Sequence, residues 1–260
     1  MNRIPDYISL TCDIVSWMCN YCNDNKIKSL VVGVSGGIDS AVSSTLAAKT
    51  GLPTYVVGMP IKQNEGQETL SDAHMYWLKK NYPNVTVLKA DLSDVFGKFT
   101  ETIGKECGME YVVNKMACAN SRSRLRMVTL YQIAASVDGI VVGTGNKVED
   151  YGVGFYTKYG DGGVDIAPIA DLYKTEVWEL GRTFGVIPEI IEAKPTDGLW
   201  DDGRTDEDQI GASYEDLEKA MEFGYGPGVE PLEKFKTQNS HKMNPIPTFK
   251  LEVKKECVSV

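Results

Sequence analysis

An apolar run, Leu30 to Val34, ends at a glycine turn and passes with no linker into a helix-compatible stretch, Ile38 to Lys49. Between them stands Ser35-Gly36-Gly37-Ile38-Asp39-Ser40. This strand, loop and helix unit is the strongest constraint in the chain, because a strand that feeds a helix through so short a turn must lay that helix back on a sheet. At such a turn successive backbone N–H groups converge on the helix N-terminus, whose partial positive charge favours phosphate, and glycine lets the backbone come close. The pattern G-x-x-x-x-G-K-[ST] is absent, since no lysine precedes Ser40. Asp39 would repel phosphate unless a cation lay between them, so it reads as a magnesium ligand. The bland alternative is a glycine turn capped by Ser35 or Asp39; the hexapeptide favours phosphate.

The unit recurs. Thr54 to Gly58 precedes a helical stretch from Glu65 to Lys80, and Val85 to Leu88 precedes another from Asp91 to Ile103, with Asp91 as N-cap. A long helix runs through Arg122 to Ser136, followed by a buried strand from Ile140 to Gly143. Strands alternating with helices predict an α/β fold, an open parallel sheet with helices on both faces. Tyr151 to Asp165 has no sustained period and reads as an ordered loop, Asp171 to Phe184 as a helix, and residues 195–211, rich in acids and glycine, as a mobile loop. Ser213-x-x-Asp216 is a capping-box variant that opens a helix through Glu222. Tyr225-Gly226-Pro227-Gly228 breaks it, and a last helix is expected from Pro231 to about Ser240.

Composition narrows the function classes. The chain has 260 residues, 42% of them hydrophobic, enough for one sizeable domain. Twenty-seven Lys and Arg against 36 Asp and Glu give a formal charge of −9, which opposes non-specific attachment to nucleic acid or anionic lipid. The apolar runs are too short for a membrane span, and the N-terminus lacks the pattern of a secretory signal. Ile8, Cys12, Val15, Cys19 and Cys22 step by four and three residues, so these cysteines are expected on the core face of one helix. Cys107, Cys118 and Cys257 show no ligand spacing. A reduced, cytoplasmic protein is expected. Of its two histidines, His74 sits in a helical stretch beside Trp77, which gives a hydrolase triad little support.

Further motifs carry charge toward the same place. Arg124 lies three and seven residues before Met127 and Tyr131, which predicts that it shares their inward face and needs an anion, while Arg122 and Arg126 are expected to be solvated. Gly143-Thr144-Gly145-Asn146-Lys147 ends a strand and Glu149 follows. Ligands of an open parallel sheet gather at the carboxyl ends of strands, so Thr144 and Glu149 are expected beside the Ser35 loop, with Glu149 as a second magnesium ligand. Lys158-Tyr159-Gly160-Asp161-Gly162-Gly163-Val164-Asp165 sets a lysine and two acids among three glycines, more than a flexible loop needs.

The Ser35 loop resembles that of the ATP pyrophosphatase group, which splits ATP between its α and β phosphates. With Arg124 to Met127, Gly143 to Lys147, Lys158 to Asp165, Pro168, Asp171 to Lys174, Lys194-Pro195-Thr196 and His241-Lys242, the chain closely resembles the NAD synthetase family from about Ser35 to Pro247. The resemblance implies a Rossmann-like, adenine nucleotide alpha-hydrolase-like fold. It implies a single catalytic domain over residues 1–260 without a fused glutaminase, and a homodimer. It also implies ATP-dependent amidation of deamido-NAD by ammonia, with Mg2+ as cofactor and AMP and pyrophosphate as products. Carried over by position, Gly33, Val34, Ser35, Gly36, Gly37, Ile38, Asp39 and Ser40 would bind ATP phosphates, and Thr144, Lys174 and Thr196 would contact ATP. Asp39 and Glu149 would hold magnesium, and Arg124, Lys158, Asp165, His241 and Lys242 would contact deamido-NAD. Asp161 is the candidate to hold or deprotonate ammonium. Met243 stands where a third basic residue is expected, and Gln209 near a position that is often acidic. The rivals are another amidating or thiolating member of the wider group, and a non-catalytic adenine-nucleotide sensor.

Overall fold

The computed structural model describes residues 3–61, 65–193, 195 and 205–251. Helix α1 (Tyr7–Asp24) leads into β1 (Ser29–Gly33), α2 (Ile38–Lys49), β2 (Thr54–Gly58), α3 (Glu65–Asn81), β3 (Val85–Lys89) and α4 (Ser93–Glu106). A 3-10 turn (Met109–Tyr111), α5 (Lys115–Ser136), β4 (Gly139–Val142) and a π-helical turn (Lys147–Val153) follow. The chain continues with α6 (Lys174–Phe184), α7 (Pro188–Ile191), α8 (Asp206–Ile210), α9 (Tyr214–Phe223) and α10 (Val229–Met243).

The sheet order is β3-β2-β1-β4, and every pairing is parallel. Alternation along β1 divides the core. Leu30 and Val32 face α1, α2 and α6 through Met18, Val42, Val177 and Leu180, whereas Val31 faces α4 and α5 through Phe96 and Ala134. Burying a Val or Leu side chain this fully contributes roughly 1.5–3 kcal/mol, so β1 belongs at the centre rather than at an edge. From β1 the chain steps outward through β2 to β3 and then returns to β4 on the other side. The crevice at a topological switch point therefore opens where the carboxyl ends of β1 and β4 diverge.

Several expectations are corrected. The buried face of α1 is Thr11, Met18 and Cys22, while Ile8 and Cys12 are exposed. Only Cys22 among the helix's cysteines is fully buried, because Met18 and the flanking Ile14 and Val15 reach the core instead. Asp91 accepts from Ser93 N at 2.8 Å but lies one residue before the N-cap, Leu92. The expected loop from Tyr151 begins inside a π-helical turn, and helix α6 starts at Lys174 rather than Asp171. Within 195–211, residues Asp206–Ile210 form a helix capped by Thr205, and 196–204 lie outside the described residues. His74 is a buried core residue, stacked on Trp77 at 5.5 Å between ring centroids.

Candidate active site

Glycine supplies the turn after β1. Gly36 takes a φ of 91°, a left-handed conformation that a side chain would strain. Gly37 is the N-cap of α2, and no side chain caps the helix there. Ser35 and Ser40 instead bind each other across the loop at 3.1 Å between hydroxyl oxygens, and Ser40 Oγ also donates to Gly37 O at 2.9 Å. Ser71 Oγ donates to Val34 O at 2.7 Å and fixes the loop's start, while at Gly33 an added Cβ would press on Met59 and Leu130. The first amides of α2 are thereby presented to the crevice without a capping side chain, as an anion seat requires. Ser35 does cap the turn itself, its Oγ accepting from Gly37 N at 3.3 Å, but neither Ser35 nor Asp39 caps the amides of α2.

Asp39 turns away from the helix end. Its Oδ1 accepts from Asn146 Nδ2 at 3.1 Å and its Oδ2 from Lys174 Nζ at 2.6 Å. Lys174 Nζ also donates to Glu149 Oε1 at 2.8 Å, so one ammonium bridges the two acids that the sequence paired. Lys174, the first residue of α6, is only 2% exposed. Asn146 is the N-cap of the π-helical turn; its Oδ1 accepts from Val148 N and Glu149 N, each at 3.0 Å, and so sets Glu149 against Asp39. Tyr214 OH donates to Glu149 Oε1 at 2.6 Å. Burial raises the pKa of Asp39, with Lys174 opposing and Glu149 adding to the rise. The same burial acts on Glu149, but the Lys174 charge and the bonds from Lys174, Tyr214 and Asn146 outweigh it and leave its pKa lowered. Burial works against the charge of Lys174, yet the two carboxylates leave its pKa above the ordinary value. The two acids hold the Lys174 ammonium, and their hard oxygens beside the uncapped N-terminus of α2 could also hold magnesium, which takes one or two carboxylates and completes its shell with water and phosphate.

A cavity of about 110 Å³ is lined by Ser35, Asp39, Ser40, Thr144, Gly145, Glu149, Asp150, Phe155 and Asp161. The structure thus brings the Ser35 loop, Thr144, both acids and Asp161 together. Asp161 Oδ1 accepts from Ser123 Oγ at 2.6 Å and from Thr157 N at 3.0 Å, which holds the glycine loop against α5. At Gly160 an added Cβ would collide with Ser123, so that contact requires glycine. Lys242 Nζ donates to Tyr156 O at 2.7 Å; burial lowers its pKa, and the nearby Asp161 and Asp150 oppose that shift. Asp165 is exposed, and its carboxylate accepts from Tyr131 OH at 3.1 Å and from Val141 N at 2.8 Å. His241 is exposed in the last turn of α10, and Thr196 lies outside the described residues.

Arg124 does not share the inward face. It is exposed, with Nε donating to Lys158 O at 3.3 Å, which places it beside the Lys158 loop. The enclosed arginine is Arg126, whose Nε donates to Met59 O at 3.0 Å and whose pKa is pushed down to about 10 by burial and by Arg122. The reason is helical phase: Arg126 is one turn before Leu130 and two before Ala134, which pack on the sheet, whereas Met127 lies toward the loop at Gly163. Sequence reasoning also missed Tyr214, Asn146 as a positioning residue, and Asp150. Asn146 carried a readable signal as a helix-capping residue type. Asp150 has its pKa raised well above the ordinary value by burial, then by Asp161, Glu149 and Asp39, with Lys242 opposing. Its carboxylate is seated where Gly145 lacks a side chain, since a Cβ there would collide with it.

Comparison with known proteins agrees with this geometry. The family model "NAD synthase" matches residues 10–249. A relative from Carboxydothermus hydrogenoformans named NH(3)-dependent NAD(+) synthetase is 36% identical over 231 residues, covering 88% of this chain and 92% of its own. Among solved structures, the NMN synthetase from Francisella tularensis superposes with a TM-score of 0.84 at 30% identity, covering 95% of this chain and 99% of its own. The NH3-dependent NAD synthetase from Campylobacter jejuni shares the fold with a TM-score of 0.73 at 22% identity, covering 95% of this chain and 100% of its own. With a family match that runs through the β1 loop, the paired acids and the glycine loop, the chain belongs to the NAD synthase family.

Proposed function

We propose that this protein forms NAD by ATP-dependent amidation of deamido-NAD with ammonia, releasing AMP and pyrophosphate. One observation carries the reading: the uncapped N-terminus of α2, a seat for phosphate, lies beside a cation seat made by Asp39 and Glu149, and both share a cavity with Asp161. A carboxylate resists amidation because its leaving group is oxide. Its attack on the α-phosphorus of ATP forms an acyl adenylate and expels pyrophosphate, and ammonia then attacks the acyl carbon and expels AMP. Backbone amides from Gly36 to Ser40 hold the phosphates as their charge develops, with Thr144 and Lys174 as further ATP contacts; by resemblance Thr196, outside the described residues, is another. Magnesium, when bound, neutralises charge on the departing pyrophosphate, and Asp39 and Glu149 are the residues that would hold it. Asp161, kept in place by Ser123 and Thr157, attracts ammonium and accepts its proton. Arg124, Lys158 and Lys242 supply positive charge for deamido-NAD, with His241 and Asp165 as further contacts by resemblance; Asp165 also ties its loop to β4.

Exposed apolar side chains concentrate from Val95 and Phe99 on α4 through Met109, Val113 and Met116 to Val128 on α5, and we assign this region to a homodimer interface. The five described cysteines are all free, in keeping with a reduced, cytoplasmic setting. No helix among the described residues is long and apolar enough to cross a membrane.

The likeness to an NMN synthetase favours a second substrate, the mononucleotide acid, which the same chemistry would amidate. Mass-spectrometric product analysis with ATP, magnesium and ammonium separates the readings. Deamido-NAD should yield NAD, AMP and pyrophosphate in equal amounts and outcompete the mononucleotide acid. Preferred turnover of the mononucleotide would move the substrate to the second reading, and pyrophosphate release triggered only by a nucleobase or an RNA would overturn both. Glutamine should replace ammonium poorly.

A further inference from the structure

The ammonium of Lys174 stands where a metal ion would. Its Nζ is 2.6 Å from Asp39 Oδ2 and 2.8 Å from Glu149 Oε1, and the side chain is 2% exposed. A divalent ion bound to those same two oxygens at ~2.0–2.1 Å would crowd and repel that nitrogen, so the pair of acids holds one cation at a time. If a metal displaced it, this buried lysine would lose both its ion pairs, and among the described residues it would be left facing the ring of Tyr214, 5.2 Å from Nζ. An uncompensated buried charge is costly. Asp39, the present partner of Nζ, lies in the first turn of α2, so a triphosphate on that helix end would offer a released Lys174 a replacement anion, while a triphosphate without metal would face the carboxylate of Asp39.

Resting on the metal site assigned above, we propose that Lys174 is a resident counter-ion that makes divalent-metal binding depend on nucleotide: metal and triphosphate load together because each supplies what the other's arrival removes. Such coupling is reciprocal, with the triphosphate strengthening metal binding by the same factor as the metal strengthens triphosphate binding.

The test is Mn2+ binding to the full chain without nucleotide, followed by electron paramagnetic resonance and by the shift in unfolding temperature. Wild type and Lys174→Arg should bind Mn2+ weakly and show no thermal shift. Lys174→Met and Lys174→Gln, with two facing carboxylates and no counter-ion, should bind it about tenfold or more tightly and be stabilised by it. Equal Mn2+ affinity in wild type and both neutral variants would overturn the proposal. Should the neutral variants not fold, wild type decides alone. Tight nucleotide-free binding that Asp39→Asn abolishes contradicts the counter-ion role and leaves the metal site standing, and weak binding supports it. Tight binding that survives both Asp39→Asn and Glu149→Gln removes the metal site itself.

Discussion

Asp39 and Asp161 line one cavity and carry the same formal charge, yet different partners hold them, in keeping with the separate half-reactions proposed for them. Asp39 is held by a buried lysine and an asparagine, Asp161 by a hydroxyl and a backbone amide. Asp39→Asn and Glu149→Gln should each suppress pyrophosphate release by an amount equivalent to several kcal/mol of transition-state stabilisation, with circular dichroism showing a folded chain. Near-normal release in either variant removes that residue from the site. Asp161→Asn should still release pyrophosphate in a single turnover but form the amide slowly, and raising the pH should partly restore the rate by supplying more free ammonia. Blocked pyrophosphate release with intact substrate binding would instead put this loop in adenylation. Gly145→Ala places a methyl group on the Asp150 carboxylate and should lower activity with little change in global stability; full activity would show that Asp150's position is immaterial. Asp39 and Glu149 were legible in the sequence because the ends of neighbouring parallel strands bring distant loops together. Tyr214 was not, since nothing local ties it to Glu149.

At the scale of elements, the site depends on where α6 begins. Arg3 binds both oxygens of Glu176 at 2.9 Å and donates to Asp171 O at 2.8 Å, while Glu218 on α9 accepts from Thr175 N at 3.0 Å and Thr175 Oγ1 at 2.7 Å. These bonds fix the first turn of α6 and with it Lys174. The sequence started this helix at Asp171, three residues early, because its apolar period gives phase but not the capping partners, which come from opposite ends of the chain. The phase of α5 differs for a related reason: Met127, which the apolar spacing places in the core stripe, packs toward Gly163. Another buried contact makes a pH prediction. His74, on α3 against Ser44 of α2, has its pKa pushed down to about 4 by burial, against 6.5 when free. The unfolded chain therefore binds an extra proton between those values, so stability is fully present above about pH 6.5 and falls as the pH drops toward 4, by up to ~3 kcal/mol. Denaturant titrations of His74→Gln should show a flatter profile in that window; an unchanged profile would assign the acid sensitivity elsewhere.

For the whole molecule, the alternation of strands and helices was enough to read a parallel sheet covered on both faces, because each βα unit has only one way to bury its two apolar surfaces. The C-terminal helices were less legible. Helix α8 has five residues, and its packing on the π-helical turn is long-range. If the apolar side chains around α4 and α5 join two copies, Phe99→Asp should shift sedimentation from dimer to monomer while α2 and its loop keep their structure; an unchanged sedimentation coefficient would move the interface elsewhere. In the adenylate route the acid's own oxygen leaves on AMP. Deamido-NAD labelled with oxygen-18 in its carboxylate, turned over with ATP, magnesium and ammonium, tests it most directly. Mass spectrometry of the products should find one label atom in each AMP and none in pyrophosphate; label in inorganic phosphate, or unlabelled AMP formed alongside the amide, would contradict the adenylate route.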